Sequence, residues 1–363
     1  MKKHLIILSL AALAVISATA QKTTKLTATK DNEYGLIYTL PLTEFKVTVA
    51  ARKTVKTPGE FARYAEKYLA DAPVLNPSVS YTITDVVVNP SAYADEDQRY
   101  LVTLKGSGSP SITITGSDFP VAVNDEEYTP ETQLAALPAA VAPQPTILER
   151  PEAKRAVTPD MIQSKSSAKR AQLAAAKIYE LRNVRNDIIS GQADGMPSDG
   201  AAMKLALDQI NSQEEALTAM FLGTEQTSVE VRTFTVPVPL EGQPTRSIFA
   251  RLSQTAGLVS PDDLSGAPIY VSVTPLTTGE LPLTDKGTPR TFPKGGLAYR
   301  IPGTAQVTVS YDNATLFDST FEVAQYGVVF GLDPSLFTSK KSPSYLHFNP
   351  LTGSIRELGT IEE

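Results

Sequence analysis

Helical periodicity is confined to two places in this chain, and elsewhere the apolar residues alternate or break at proline and glycine. In the first place, Phe61, Tyr64, Ala65, Tyr68 and Leu69 fall at i, i+3, i+4, i+7 and i+8, with Arg63, Glu66 and Lys67 facing away. Thr57 as N-cap, Pro58 at the first helical position and Glu60 at N3 predict a capping box at its start. In the second, Ala174, Ile178, Leu181 and Ile188 repeat at helical spacing and stop at Gly191. A loop rich in Gly, Asp and Pro leads to Ser198 or Asp199 as the next N-cap, and Met203, Leu207, Ile210, Leu217 and Phe221 form a further stripe that stops at Gly223. Two helices joined by a short loop predict an antiparallel helical hairpin.

The remaining segments read as strands. Tyr34 to Leu40 and Glu44 to Ala50 come first, with Pro41 turning the chain between them and Phe45, Val47 and Val49 alternating in the second. Tyr81 to Val88, Tyr100 to Leu104 and Ile112 to Thr115 follow, and Gly106 to Ser109 reads as a hairpin connection. Between Tyr128 and Ser164, Pro130, Pro138, Pro143, Pro145, Pro151 and Pro159 argue against helix or ladder and for an extended linker. The last third carries short strands at Val229 to Val238, Ile248 to Leu252, Ile269 to Thr274, Ala305 to Tyr311, Leu316 to Val323 and Tyr326 to Leu332, which suggests a β-sandwich. The expected fold class is α+β. It comprises a small α+β domain over 21–127, a Pro/Ala-rich linker over 128–164, the helical hairpin over 165–224 and an antiparallel β-sandwich over 225–363.

Residues 1–20 read as a cleaved export signal. Lys2 and Lys3 form a positive start, Leu5 to Ile16 an apolar run too short to span a bilayer, and Ala18-Thr19-Ala20 a small-x-small cleavage pattern that places the mature N-terminus at Gln21. The chain has no Cys, so its stability rests on burial, and lipid anchoring through a modified Cys is excluded. No later stretch is long and apolar enough to span a membrane as a helix. A formal net charge of −6 with no basic run disfavours nucleic acid as a partner.

Several short motifs occur in a recognisable order: Tyr34-Gly35-Leu36-Ile37-Tyr38-Thr39-Leu40-Pro41, Tyr64-Ala65-Glu66-Lys67-Tyr68-Leu69, Ile178 to Arg185, Tyr299-Arg300-Ile301-Pro302-Gly303, Gln325-Tyr326-Gly327 and Thr352-Gly353. Together they resemble the domain-of-unknown-function 4831 family of exported proteins from Bacteroidetes-type bacteria. The resemblance covers nearly the whole mature chain and implies a Gram-negative envelope context, periplasmic or outer-membrane associated. It transfers no catalytic residue. Tyr, Gly and Pro dominate these motifs, and such residues more often set turns and cores than perform reactions.

Catalytic signatures are sparse. Beyond residues 1–20 the only His is His347, in Tyr345-Leu346-His347-Phe348, where a terminal strand with ring nitrogens bonded to water or backbone explains it better than a triad. There is no Gly-x-Ser-x-Gly elbow, no Walker loop and no dinucleotide fingerprint, and thiolate and two-His metal sites are excluded within one chain. Asp95-Glu96-Asp97 and Asp125-Glu126-Glu127 are acidic clusters that read as solvated turns rather than Ca²⁺ loops. Asp318-Ser319-Thr320 resembles the O-glycosylation acceptor of Bacteroidetes-type envelope proteins, which makes Ser319 a candidate modification site. The expectation is an exported envelope protein with a structural or protein-interaction role, no catalytic, cofactor or metal residues, and an envelope protein or glycan as partner. The alternative is a carboxylate-dependent enzyme or glycan-binding protein acting on envelope polysaccharide.

Overall fold

The alternation at Phe45, Val47 and Val49 runs on in both directions. In the computed structural model it belongs to one 22-residue strand, β2 (Leu36–Thr57), preceded by the short β1 (Lys22–Lys25) and followed by the 26-residue β3 (Ser78–Thr103). The structure describes residues 22–26, 35–103, 110–193, 200–240, 243–338 and 343–361, so the export signal, the Gly106 to Ser109 connection and the Ser198 or Asp199 cap lie outside the described residues. Pro41 does not turn the chain. It lies within β2 at a register shift, where a residue without an N–H is tolerated.

Thr57 is the last residue of β2, paired with Thr224, and not a helix cap. The ladder holds it extended, so the capping box does not form. The helical run shortens to a 3-10 turn at Ala62–Tyr64 and α1 (Ala65–Leu69). Its stripe is nevertheless inward: Phe61 and Ala65 are buried, and Tyr64, Tyr68 and Leu69 are half-buried.

After β4 (Ile112–Ile114) and β5 (Pro120–Val123), the chain from residue 128 to 146 is an extended strap. Arg356 Nη1 donates to Glu131 O at 2.8 Å, Asn89 exchanges two hydrogen bonds with Ala135, and Val141 exchanges two with Val229. The rest of the proline-rich stretch is helical, contrary to expectation. A 3-10 turn at Ile147–Glu149 is closed by a Thr146/Glu149 capping box, and α2 (Pro151–Ala156) and α3 (Pro159–Gln163) follow. Pro151 and Pro159 begin these helices, at positions where a missing N–H costs nothing.

The helices α4 (Ser167–Ser190) and α5 (Gly200–Leu222) bury Ile178, Leu181, Leu217 and Phe221. Gly191 and Gly223 follow them with φ of 73° and 89°, the left-handed region that ends a helix. Ala153, Ala156 and Met161 of α2 and α3 pack into the same core as Phe61 and Phe221.

The chain then forms β6 (Thr224–Pro237), β7 (Thr245–Ser253), β8 (Gly257–Val259), β9 (Ala267–Thr277), β10 (Leu297–Tyr311), β11 (Ala314–Leu332), β12 (Ser344–Phe348) and β13 (Ile355–Thr360). The described strands make three sheets, ordered β1-β3-β2-β6, β11-β10-β9-β7-β8 and β13-β12-β5-β4. Every strand pairing is antiparallel. With 23% helix and 46% strand, the fold is mixed α and β, as expected.

The sheet partnership differs from a sandwich formed within the last third alone. Phe45, Val47 and Val49 of β2 share a core with Val271, Val273, Val307 and Val309, so the β9–β10 sheet packs against the sheet built on β2 and β3. The long strands then run on into a second core. There Tyr38, Leu40, Tyr100 and Val102 meet Leu297, Tyr299 and Phe330, together with Val123, Leu346 and Phe348 of the small sheet. Where β10 passes between these cores its register shifts, between Ile301 and Gly303. A Cβ on Gly303 would collide with Thr277 O, and one on Gly327 with Ile301 O, so glycine allows the strands to close at this crossing.

Candidate functional site

Three side-chain constellations stand out, and the first gathers most of the family-type motifs. Arg300 of β10 is 5% exposed and donates through Nη2 to the Asp95 carboxylate and through Nη1 to Ala324 O at 3.4 Å. Its backbone N–H donates to Gly353 O at 2.8 Å. Beside it, the Gln325 side chain accepts from Thr43 N at 2.9 Å and donates to Thr43 O at 2.8 Å, while Thr43 Oγ1 accepts from Ala324 N at 3.0 Å. Tyr38 Oη donates to Ala298 O at 3.1 Å and accepts from Ala298 N at 2.8 Å.

Burial lowers the Arg300 pKa, with Asp95 opposing that shift, and burial pushes the Tyr100 phenol up to about 12. Asp95 is therefore not part of a solvated turn. It lies in β3, and its side chain is 14% exposed. These motifs tie the two β cores together through buried polar contacts, which is a structural arrangement.

The second constellation surrounds His347 on β12. Nε2 lies 2.8 Å from Asp125 Oδ2, and Nδ1 lies 3.4 Å from Glu357 Oε2. The Tyr128 ring stacks on the imidazole with centroids 3.7 Å apart and planes at 5°. Tyr345 Oη donates to Glu357 Oε1 at 2.6 Å, and Asp125 Oδ1 accepts from the backbone of Glu127 and Tyr128. The hydrogen bond to His347 is the largest influence holding the Asp125 carboxyl below its ordinary range; the Tyr345 hydroxyl does this for Glu357, with His347 adding to it.

The expectation of water or backbone partners for His347 is corrected: its partners are carboxylates, supplied by β13 and by the turn after β5. Both ring nitrogens thus face carboxylates, and the residue is 8% exposed. The acidic cluster containing Asp125 was visible in the sequence, but its pairing across 222 residues was not.

The third is a groove of about 790 Å³ between α4, α5, the start of β6 and the end of the strap. Glu214 of α5 holds two arginines of α4, with Arg182 Nε 2.6 Å from Oε1 and Arg185 Nη1 2.5 Å from Oε2. Arg150 enters from the strap side, where its Nε donates to Pro145 O at 3.3 Å. Thr218 of α5 and Thr224 to Thr227 of β6 complete the wall. This volume falls within the range of small-molecule sites. Sequence reading missed it, because its walls come from three segments that each show only an inward stripe or a run of prolines.

Ser319 is exposed on β11, the edge strand of its sheet, while the neighbouring Asp318 accepts from Gln306 and Thr308 on β10. Among the described residues, no group of three or more His, Asp or Glu is placed to hold a metal ion, and no helix is long and apolar enough to cross a membrane.

No curated protein and no solved structure is significantly similar to this chain. A family model, described as a domain of unknown function, DUF4831, matches residues 34–356. That match takes in every motif noted above and nearly the whole chain, which therefore belongs to the DUF4831 family.

Proposed function

We propose that this protein is an exported, non-catalytic interaction protein of a Gram-negative-type cell envelope, and that its partner docks in the groove between α4, α5, β6 and the strap. The groove carries the proposal. It is lined by guanidinium, carboxylate and hydroxyl side chains, and Glu214 holds Arg182 and Arg185 in place. In this reading α4 and α5 act as a helical hairpin that forms one rigid wall. Ser319, exposed on an edge strand, is accessible to a modifying enzyme and is proposed as an O-glycosylation site.

The test fills the groove. Thr218→Trp places an indole among the lining residues without touching a buried core position. Envelope fractions passed over the immobilised wild-type chain and over Thr218→Trp should yield a partner that only the wild type retains. Equal retention by both, with the variant folded, would move the interaction elsewhere.

A further inference from the structure

The strap pairs with the β6 backbone at a single residue. Val141 and Val229 exchange both backbone hydrogen bonds at 2.9 Å, an isolated antiparallel bridge. The register of β6 on β2 runs without a shift from Pro237 to Thr224, so its backbone groups alternate regularly between its two edges. Val229 points away from β2, and Glu225, Thr227, Val231, Thr233 and Thr235 therefore do so too. β6 is the outer strand of its sheet, and among the described residues no backbone partner is bonded to these five.

The strap sequence explains why the pairing stops on the Thr224 side of Val229. Extending the antiparallel bridge would set residue 143 opposite Thr227 and residue 145 opposite Glu225. Both are proline and have no N–H to give the facing carbonyl. The strap is instead held there by the Gln226 side chain, which donates to Gln144 O at 2.7 Å. Proteins commonly guard an open edge with charged side chains, proline or a bulge; β6 carries Pro237 at its far end and no bulge on β2, while its outward positions from Thr227 to Thr235 carry no charge or proline. The start of this edge, Thr224 to Thr227, is also a wall of the groove.

We propose that the outer edge of β6 is a strand-addition site, taking an extended, proline-free segment of a partner protein. The segment pairs with Glu225, Thr227, Val231 and Thr233, displaces the single Val141 pair, and seats side chains in the groove. The proposal rests on the groove reading and specifies the chemistry of the partner. A second copy of the chain is the competing occupant, since two-fold pairing centred on Val229 would set Glu225 opposite Thr233 and Thr227 opposite Val231 without meeting a proline; self-association is therefore one outcome of the test.

The test has two arms on the full mature chain. In hydrogen exchange, the amides of Glu225 and Thr227 should exchange rapidly in the wild type. They should slow by about tenfold or more in the Pro143→Ala/Pro145→Ala variant, whose strap can complete the pairing. In the binding arm, the probe is a labelled eight-residue peptide of alternating threonine and valine, alongside the same peptide N-methylated at alternate residues. The wild type should bind the first and not the second. Thr227→Pro/Val231→Pro, which removes two outward-facing N–H groups, should bind at least about tenfold more weakly with an unchanged melting temperature.

Protected amides in the wild type, equal binding by the proline variant or the methylated peptide, or self-association in place of peptide binding would overturn strand addition. If Thr218→Trp loses the envelope partner while the proline variant keeps it, strand addition falls and the groove reading stands. If both variants keep the partner, both readings fall.

Discussion

Replacing Asp95 by alanine should be among the most damaging single changes to stability, because of what it leaves behind. Among the described residues the carboxylate is the only ionised partner of the Arg300 guanidinium, whose side chain is 6% exposed and otherwise reaches Ala324 O at 3.4 Å. Its Nε is already buried without a partner, so the site has no spare acceptor to offer. Breaking a buried pair from one side costs about 3–5 kcal/mol, because the remaining charge is stranded away from water. Urea unfolding followed by far-UV circular dichroism gives the difference directly, provided the m-value is unchanged. The double replacement Asp95→Leu/Arg300→Met should recover most of the loss, since exchanging a whole buried pair for apolar groups is often close to neutral. A loss below about 1 kcal/mol for Asp95→Ala, the value of a solvated pair, would refute the assignment of this contact as the tie between the two β cores.

Three further outcomes are expected. Phe61→Ala, at a residue 1% exposed whose ring lies 5.3 Å from that of Phe221, should cost about 3–5 kcal/mol in the same assay. The folded Asp125 and Glu357 pKa values lie below their ordinary ones, so their contribution is present above the carboxylate range and is lost as pH falls through the folded values. The stability gap between wild type and His347→Gln should therefore narrow from about pH 5 to about pH 2, while groove binding at neutral pH stays unchanged. Mass spectrometry of the envelope fraction should find the mature N-terminus at Gln21, and an intact Met1 there would contradict export.

Local patterns in the sequence were legible where one side chain decides the outcome. Gly191 and Gly223 mark helix ends because a left-handed residue is needed there, and the stripe from Phe61 to Leu69 shows which face goes inward. Errors arose where tertiary pairing overrode a local signal. Thr57 has the residues of a capping box around it, yet the ladder to Thr224 keeps it extended. Pro41 looks like a turn but is absorbed by a bulge, and Pro151 and Pro159 look like breakers but start helices. The candidate sites were the least legible part. Arg300 and Asp95 are 205 residues apart, and His347 and Asp125 are 222 apart. No periodicity encodes contacts made by strands that meet only in the finished fold.

The central claim is that the groove beside β6 is where a partner binds, and site-specific photo-crosslinking in intact cells tests it most directly. A photoreactive residue is placed at Thr218 or Gln144 in the groove wall, or at the exposed Lys286 as a control away from it. The account expects one discrete adduct from Thr218 and Gln144 and none from Lys286. It also expects the adduct from Gln144 to disappear when Thr218→Trp is combined with it. Adducts of equal yield from all three positions, or from Lys286 alone, would contradict the account.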